Sequence, residues 1–136
     1  TESALLQDKG DAMATLHRLR DRDVSIALDD FGTGFASLST LKTFPFDRLK
    51  IDRSFVADVT RDAGSAAIIA SAVQLARAFD IEVTAEGVET REQMAALRAA
   101  GAKTMQGYLF GWPDVIDRGL PVIVLDGVEG DASRAA

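Results

Sequence analysis

Five polar positions stand at intervals that suit one shared site: Asp29 with Asp30, then Lys50, Glu86 and Gln106. The steps from Asp30 to Lys50, Lys50 to Glu86 and Glu86 to Gln106 are 20, 36 and 20 residues, each about one strand-plus-helix unit. Paired aspartates with a glutamate make an oxygen-rich set that suits Mg2+ or Mn2+. A lysine beside a carboxylate-held cation points to phosphoester chemistry. The metal would polarise a phosphoryl oxygen and acidify water. The lysine would orient that water or stabilise the developing negative charge. The only histidine, His17, falls on a predicted helix away from these positions. It reads as a surface residue, which argues against a histidine-ligated site.

Each residue also has a plainer reading. An aspartate after a strand often turns the chain or caps the next helix. Lys50 could form a structural ion pair with Asp52 on the same strand face. Glu86 and Glu89 could simply charge the start of a helix at Thr90. Gln106 alone says little. The Gly32-Thr33-Gly34 run fits a tight turn or a phosphate cradle. It is not a P-loop, because no Lys-Ser or Lys-Thr follows it.

The elements that must position these residues alternate in type. A helix is predicted over 11–22, with Met13, Leu16 and Leu19 recurring at threes and Ala12 widening the stripe. Gly10 separates it from a short turn at 4–7. A strand over 24–30 alternates Val24, Ile26 and Leu28 with Ser25, Ala27 and Asp29. A short helix over 36–42 ends before Pro45, and a strand follows over 48–52. A long helix over 62–79 shows Ile68, Ile69, Ala72, Val73, Ala76 and Phe79 as its apolar face. A third strand over 81–86 leads to a helix over 90–100. That helix has a capping box at Thr90 and Gln93, and Gly101 just past its end. A fourth strand covers 103–106.

Strands alternating with helices imply a parallel α/β sheet, and parallel strands carry Asp29, Asp30, Lys50, Glu86 and Gln106 to one rim. In barrel enzymes that C-terminal rim is the active site. If Asp29, Glu86 and Gln106 point inward, then Ala27, Ser25, Thr84 and Thr104 do as well. Small residues there suit a crowded barrel interior, and Val24, Ile26 and Leu28 then face the helices.

Composition sets bounds on the rest. The net charge of −6 argues against a nucleic-acid groove and against a DNA partner. An anionic substrate then requires a metal to invert the local field. There is no cysteine, hence no disulfide and no thiolate metal site. The longest apolar runs, 66–73 and 122–125, fall far short of the roughly 20 residues of a membrane helix. A cytoplasmic location is expected. The chain opens at Thr1 without Met, and reads as a piece of a longer protein. Residues 114–125 form an atypical segment with a possible extra strand over 121–125, and 126–136 read as a flexible tail.

Five motifs make the reading specific. Asp29-Asp30-Phe31-Gly32-Thr33-Gly34 resembles the Asp-Asp-Phe-Gly-Thr-Gly signature of EAL domains. Leu49-Lys50-Ile51-Asp52 resembles their Lys-Ile-Asp strand, and Ala85-Glu86-Gly87-Val88-Glu89 their Glu-Gly-Val-Glu motif. Gln106-Gly107-Tyr108-Leu109-Phe110, with Pro113 beyond, resembles the Gln-Gly-Tyr ending. Thr1-Glu2-Ser3 is similar to the end of the Glu-x-Thr-Glu-Ser segment. The resemblance covers residues 1–113 and implies the C-terminal half of a TIM-type β/α barrel, about four βα units.

That family hydrolyses cyclic di-GMP to linear pGpG with two divalent cations. The resemblance implies that Asp29 and Asp30 ligate the metals and that Lys50 contacts the attacking water. Glu86 would ligate metal or position water, and Gln106 would lie close to the reacting phosphate. Glu2, Thr33 and Glu89 would be supporting residues, Glu2 by bracing the Asp-Phe-Gly-Thr-Gly loop.

The departures concern the ligands. The Glu-Ala-Leu motif does not occur, and an asparagine ligand from the next strand is missing. The first glutamate of the Glu-x-Thr-Glu segment would precede Thr1. The chain is therefore expected to bind Mg2+ or Mn2+ weakly and to hydrolyse poorly or not at all alone. Its expected partners are cyclic di-GMP and the N-terminal half of the barrel, or a dimer partner. A dimer of half-barrels would bury open edges but duplicate the ligands already present. The alternative is a non-catalytic module that binds nucleotide or protein in signalling.

Overall fold

The computed structural model of the protein describes residues 9–33 and 38–113. In chain order the elements are α1 (Lys9–Arg20), β1 (Ala27–Phe31), α2 (Leu38–Thr43), β2 (Arg48–Ile51) and α3 (Arg53–Asp58). Then come α4 (Ala63–Ala78), β3 (Glu82–Ala85), α5 (Arg91–Ala100) and β4 (Thr104–Met105). The strands form one parallel sheet in the order β1-β2-β3-β4. This is the α/β arrangement that the alternation predicts.

The register divides the sheet into two faces. Leu28, Leu49 and Val83 stand side by side, and Ile51, Ala85 and Met105 form the next row on the same face. The helix α4 packs on β2 and β3 and also against α3 and α5. Ile69, Ala72, Val73 and Ala76 of α4 and Leu97 of α5 close the core over Leu49 and Ile51. Burying each large side chain contributes roughly 1.5–3 kcal/mol. The other face carries Ala27, Arg48 and Glu82 in one row and Lys50, Thr84 and Thr104 in the next.

Helix ends follow the sequence signals. Asp52 caps α3 by accepting from Ser54 N at 2.9 Å, and Asp62 caps α4 by accepting from Ser65 N at 2.7 Å. At α5 the capping box of Thr90 and Gln93 forms, and Gly101 takes the left-handed conformation past its end.

Several expectations need correction. The first strand begins at Ala27 rather than residue 24, and Val24 is exposed. Leu19, Ile68 and Phe79 are exposed too, so the apolar stripes on α1 and α4 are narrower than predicted. The stripe on α4 is set by 69, 72, 73 and 76; Ile68 lies about 100° off Ile69, and Phe79 is the C-cap. The row behind the functional groups is not all small, because Arg48 and Glu82 pair there at 2.9 Å. The helix α3 was not expected at all. Glu2, the 4–7 turn, residues 36–37 of the predicted second helix and everything predicted beyond 113 lie outside the described residues.

Candidate functional site

Four strand ends meet at one rim, and the first of them is irregular. Leu28 pairs with Leu49 and Phe31 with Ile51. Two residues of β1, Asp29 and Asp30, therefore oppose the single Lys50. This is a β-bulge. Asp30 takes φ 54, the left-handed region. In a regular strand neighbouring side chains point to opposite faces. The bulge cancels that alternation and lets both carboxylates serve one place. Local bonds hold it: Asp29 Oδ1 accepts from Asp30 N at 3.1 Å, and Thr33 Oγ1 donates to the Asp30 carbonyl at 2.9 Å.

Carboxylate oxygens of Asp29, Asp30 and Glu86 lie within 4.8 Å of one another. The Lys50 ammonium sits between two of them, 2.6 Å from Glu86 Oε1 and 2.9 Å from Asp29 Oδ1. The hydrogen bond to Glu86, then that to Asp29, raises the Lys50 pKa above its ordinary 10.5. The lysine is therefore a permanent cation at neutral pH. Three carboxylates and one ammonium leave a formal charge of −2. That balance, with hard oxygen donors only, fits one divalent cation. The three carboxylates leave much of a six-coordinate shell to water.

Lys50 does not pair with Asp52. Asp52 turns to α3, and its hydrogen bonds from Ser54, side chain first, hold its carboxyl below the usual range. The plainer reading of Lys50 as half of a Lys50–Asp52 pair thus fails on geometry.

The third and fourth strand ends are locked together by glycine. A Cβ on Gly107 would lie 2.2 Å from Val88 N and O. Only glycine lets the backbones approach this closely. Val88 N donates to the Gln106 carbonyl at 3.0 Å, and Leu109 N donates to the Val88 carbonyl at 3.0 Å. Gly87, at φ 71, passes so close to Arg53 that a Cβ would stand 2.6 Å from Arg53 Cβ. Glu89 is anchored through its amide, which donates to Gln93 Oε1 at 2.8 Å.

These contacts shape an open groove of about 390 Å3. Asp30, Glu86, Glu89 and Gln106 line it, as do Arg53 and Tyr108. Of the residues predicted for the site, Asp29, Asp30, Lys50 and Glu86 form one cluster. Gln106 and Glu89 share the groove with Asp30 and Glu86. Thr33 is bonded to the backbone of Asp30. His17 lies on α1, outside this groove. Arg53 and Tyr108 received no role from sequence; each sits inside a recognisable motif or directly after one, which was the available signal.

Comparison with known proteins gives the family and the fold. The model of the EAL domain matches residues 1–113. An uncharacterised signalling protein of Caulobacter vibrioides is 50% identical over 117 residues, 86% of this chain and 14% of that protein. The cyclic di-GMP phosphodiesterase NbdA of Pseudomonas aeruginosa is 42% identical over 113 residues, 83% of this chain and 14% of its own length. The chain thus spans about one seventh of these relatives. The solved structure of the EAL enzyme Bd1971 in its cGMP-bound form matches with a TM-score of 0.81 and 42% identity, over 87% of this chain and 31% of that one. BlrP1 of Klebsiella pneumoniae, solved with manganese and cyclic di-GMP, matches at 0.74 and 36%, over 80% of this chain and 28% of that one. The four parallel strands of this chain match part of the TIM-barrel fold of those structures, and the chain belongs to the EAL domain family.

Proposed function

We propose that this chain forms the water-positioning and metal-holding wall of a phosphodiesterase that opens cyclic di-GMP to linear pGpG. One observation carries the reading: Lys50 is held by Glu86 and Asp29 inside a three-carboxylate cluster at the C-terminal rim of the strands. A structural ion pair needs one partner; the two carboxylate partners of Lys50 support a role in orienting a nucleophile.

Asp29, Asp30 and Glu86 would hold a divalent cation, Mg2+ or Mn2+. Such an ion polarises a phosphoryl oxygen and lowers the pKa of nearby water. The Lys50 ammonium orients the attacking water and stabilises negative charge that grows on the phosphoryl group. Glu86, bonded to that ammonium, fixes its direction. Gln106 offers an amide to the phosphate or the water. Attack of the water oxygen on phosphorus forms the new P–O bond and breaks the bond to the bridging 3′-oxygen, and the proton that the water loses ends on that leaving oxygen. Thr33 and Glu89 support the loops that carry these groups, and Glu2 is assigned a bracing role. The absence of cysteine suits a cytoplasmic setting, and among the described residues no helix is long and apolar enough to cross a membrane.

The deciding experiment is hydrolysis of cyclic di-GMP with Mg2+ or Mn2+ by this chain, alone and mixed with a complementary N-terminal half of a family member. Activity in the mixture that disappears with Lys50→Ala supports the reading. A folded chain that gives no product in either case would favour a non-catalytic nucleotide- or protein-binding module instead.

A further inference from the structure

The far end of the strands carries a second polar cavity. β3 and β4 start beside it and run from there to the rim that holds Glu86 and Gln106. The cavity encloses about 280 Å3, and Val73, Arg77, Asp80, Glu82, Gly101 and Lys103 are on its wall. It shares no lining residue with the groove at the rim.

Arg77 is held there by shape. A Cβ on Gly101 would lie 2.5 Å from Arg77 Nη2 and 3.2 Å from its Cζ. The guanidinium therefore fills the space that any other side chain at 101 would take. An arginine at a helix end often serves the last carbonyls and the dipole. Here those carbonyls are already met by backbone. Gly101 N donates to the Arg98 carbonyl at 2.9 Å and Ala102 N to the Leu97 carbonyl at 3.0 Å. At the end of α4, Ile81 N donates to the Ala76 carbonyl at 2.8 Å. Neither Arg77 nor Lys103 forms an ion pair among the described residues. Of the two acids on the wall, Glu82 is neutralised by Arg48 at 2.9 Å. Asp80 is left as an acceptor beside two unpaired cations.

We infer that this cavity binds the phosphate group of a small phosphomonoester. Arg77 offers a planar fork of donors and Lys103 a point charge, and the two match the charge of the phosphate. Asp80 accepts from a hydroxyl of the same ligand, which favours a sugar phosphate over free phosphate. The inference does not depend on the phosphodiesterase reading, because the two sites stand at opposite ends of the strands.

The test is calorimetric titration of the full chain with ribose 5-phosphate and, separately, with inorganic phosphate. EDTA is present, so that no divalent cation draws phosphate to Asp29, Asp30 and Glu86. One saturable site is expected, with ribose 5-phosphate bound more tightly than phosphate. Arg77→Ala and Lys103→Ala are each expected to weaken that binding on the order of tenfold. Both side chains are exposed, so the variants should unfold at the midpoint of the parent chain. Arg61→Ala removes the same charge outside the cavity and should leave the affinity unchanged. No saturable heat with ribose 5-phosphate, or full affinity in Arg77→Ala, overturns the site. An equal loss in Arg61→Ala overturns it too, since net charge alone would then account for binding. Inorganic phosphate bound as tightly as ribose 5-phosphate overturns the assignment of a sugar phosphate.

Discussion

The two faces of this sheet obey different rules. On the helix-packed face the period of two holds in β2 and β3: Leu49 and Ile51, then Val83 and Ala85, fall where alternation puts them, and only β1 steps by three, from Leu28 to Phe31. On the other face the regularity fails. The first strand bulges at Asp29 and Asp30, and Asp30 takes a conformation that side chains avoid. Even buried atoms lack partners there, since neither Arg48 Nε nor Thr84 Oγ1 is hydrogen-bonded among the described residues. Such atoms cost about 1–3 kcal/mol each when left unmet. One face is built for stability, and the other accepts local cost to bring charges together.

Residues 49 and 50 put that contrast into adjacent positions. Leu49 is fully buried, so Leu49→Ala is expected to cost about 2–5 kcal/mol, measured by urea unfolding. Lys50→Ala should cost much less, on the order of 1 kcal/mol, because the ion pairs that it removes are partly exposed. In the assembled enzyme it should lower hydrolysis on the order of a hundredfold or more. A large stability loss from Lys50→Ala, or a kinetic loss from a still-folded Leu49→Ala, would erase the division between the faces.

A smaller effect tests the bulge itself. Asp30→Gly removes a carboxylate from the cluster and also removes the left-handed strain. We expect the variant to bind Mn2+ more weakly while gaining about 0.5–1 kcal/mol of stability. Calorimetry for the metal and denaturant unfolding for stability read the two sides. A variant that is less stable would mean that the Asp30 side chain does more for the fold than its strain costs.

The cap of α3 is expected to be worth about 1 kcal/mol, so Asp52→Ala should lower stability by that amount, with Asp52→Asn close to the parent chain. The pH dependence follows from the same residue. The folded carboxyl of Asp52 titrates below its ordinary 3.8. Its contribution is therefore present above that value and lost as pH falls through the folded one. Asp52→Asn should flatten stability only on that acid limb. Lys50 works in the opposite direction: its folded pKa is raised, so its contribution is complete below 10.5 and lost only as pH rises beyond.

The sequence carried the alternation of elements, the capping box at Thr90 and Gln93, and the gathering of Asp29, Asp30, Lys50 and Glu86. These follow from periods and motifs, which are local. The bulge did not, because the pattern Val24, Ile26, Leu28 reads as regular alternation until the partner strand fixes the register. The helix α3 has six residues, too few to show a helical period, and its only signal is Asp52, which in sequence is equally a candidate partner for Lys50. Gly107 and Gly87 looked like motif letters; their role lies in the backbone of Val88 and the side chain of Arg53, which are distant contacts. Ile68 and Phe79 lie outside the buried stripe, because apolar type alone does not say where a stripe ends.

The strand order has a kinetic consequence. Among the described residues every strand pairs with the next one in the chain, and no pairing skips a unit. Paired residues are separated by 21 positions for Ala27 and Arg48, 34 for Arg48 and Glu82, and 20 for Thr84 and Thr104. A sheet of this kind can grow from one end by adding one strand and its helix at a time, with loop closure rising slowly with length. The slowest addition should be the joining of β3 to β2, which must enclose both α3 and α4. Once it is made, β4 and α5 have the shortest distance left to travel.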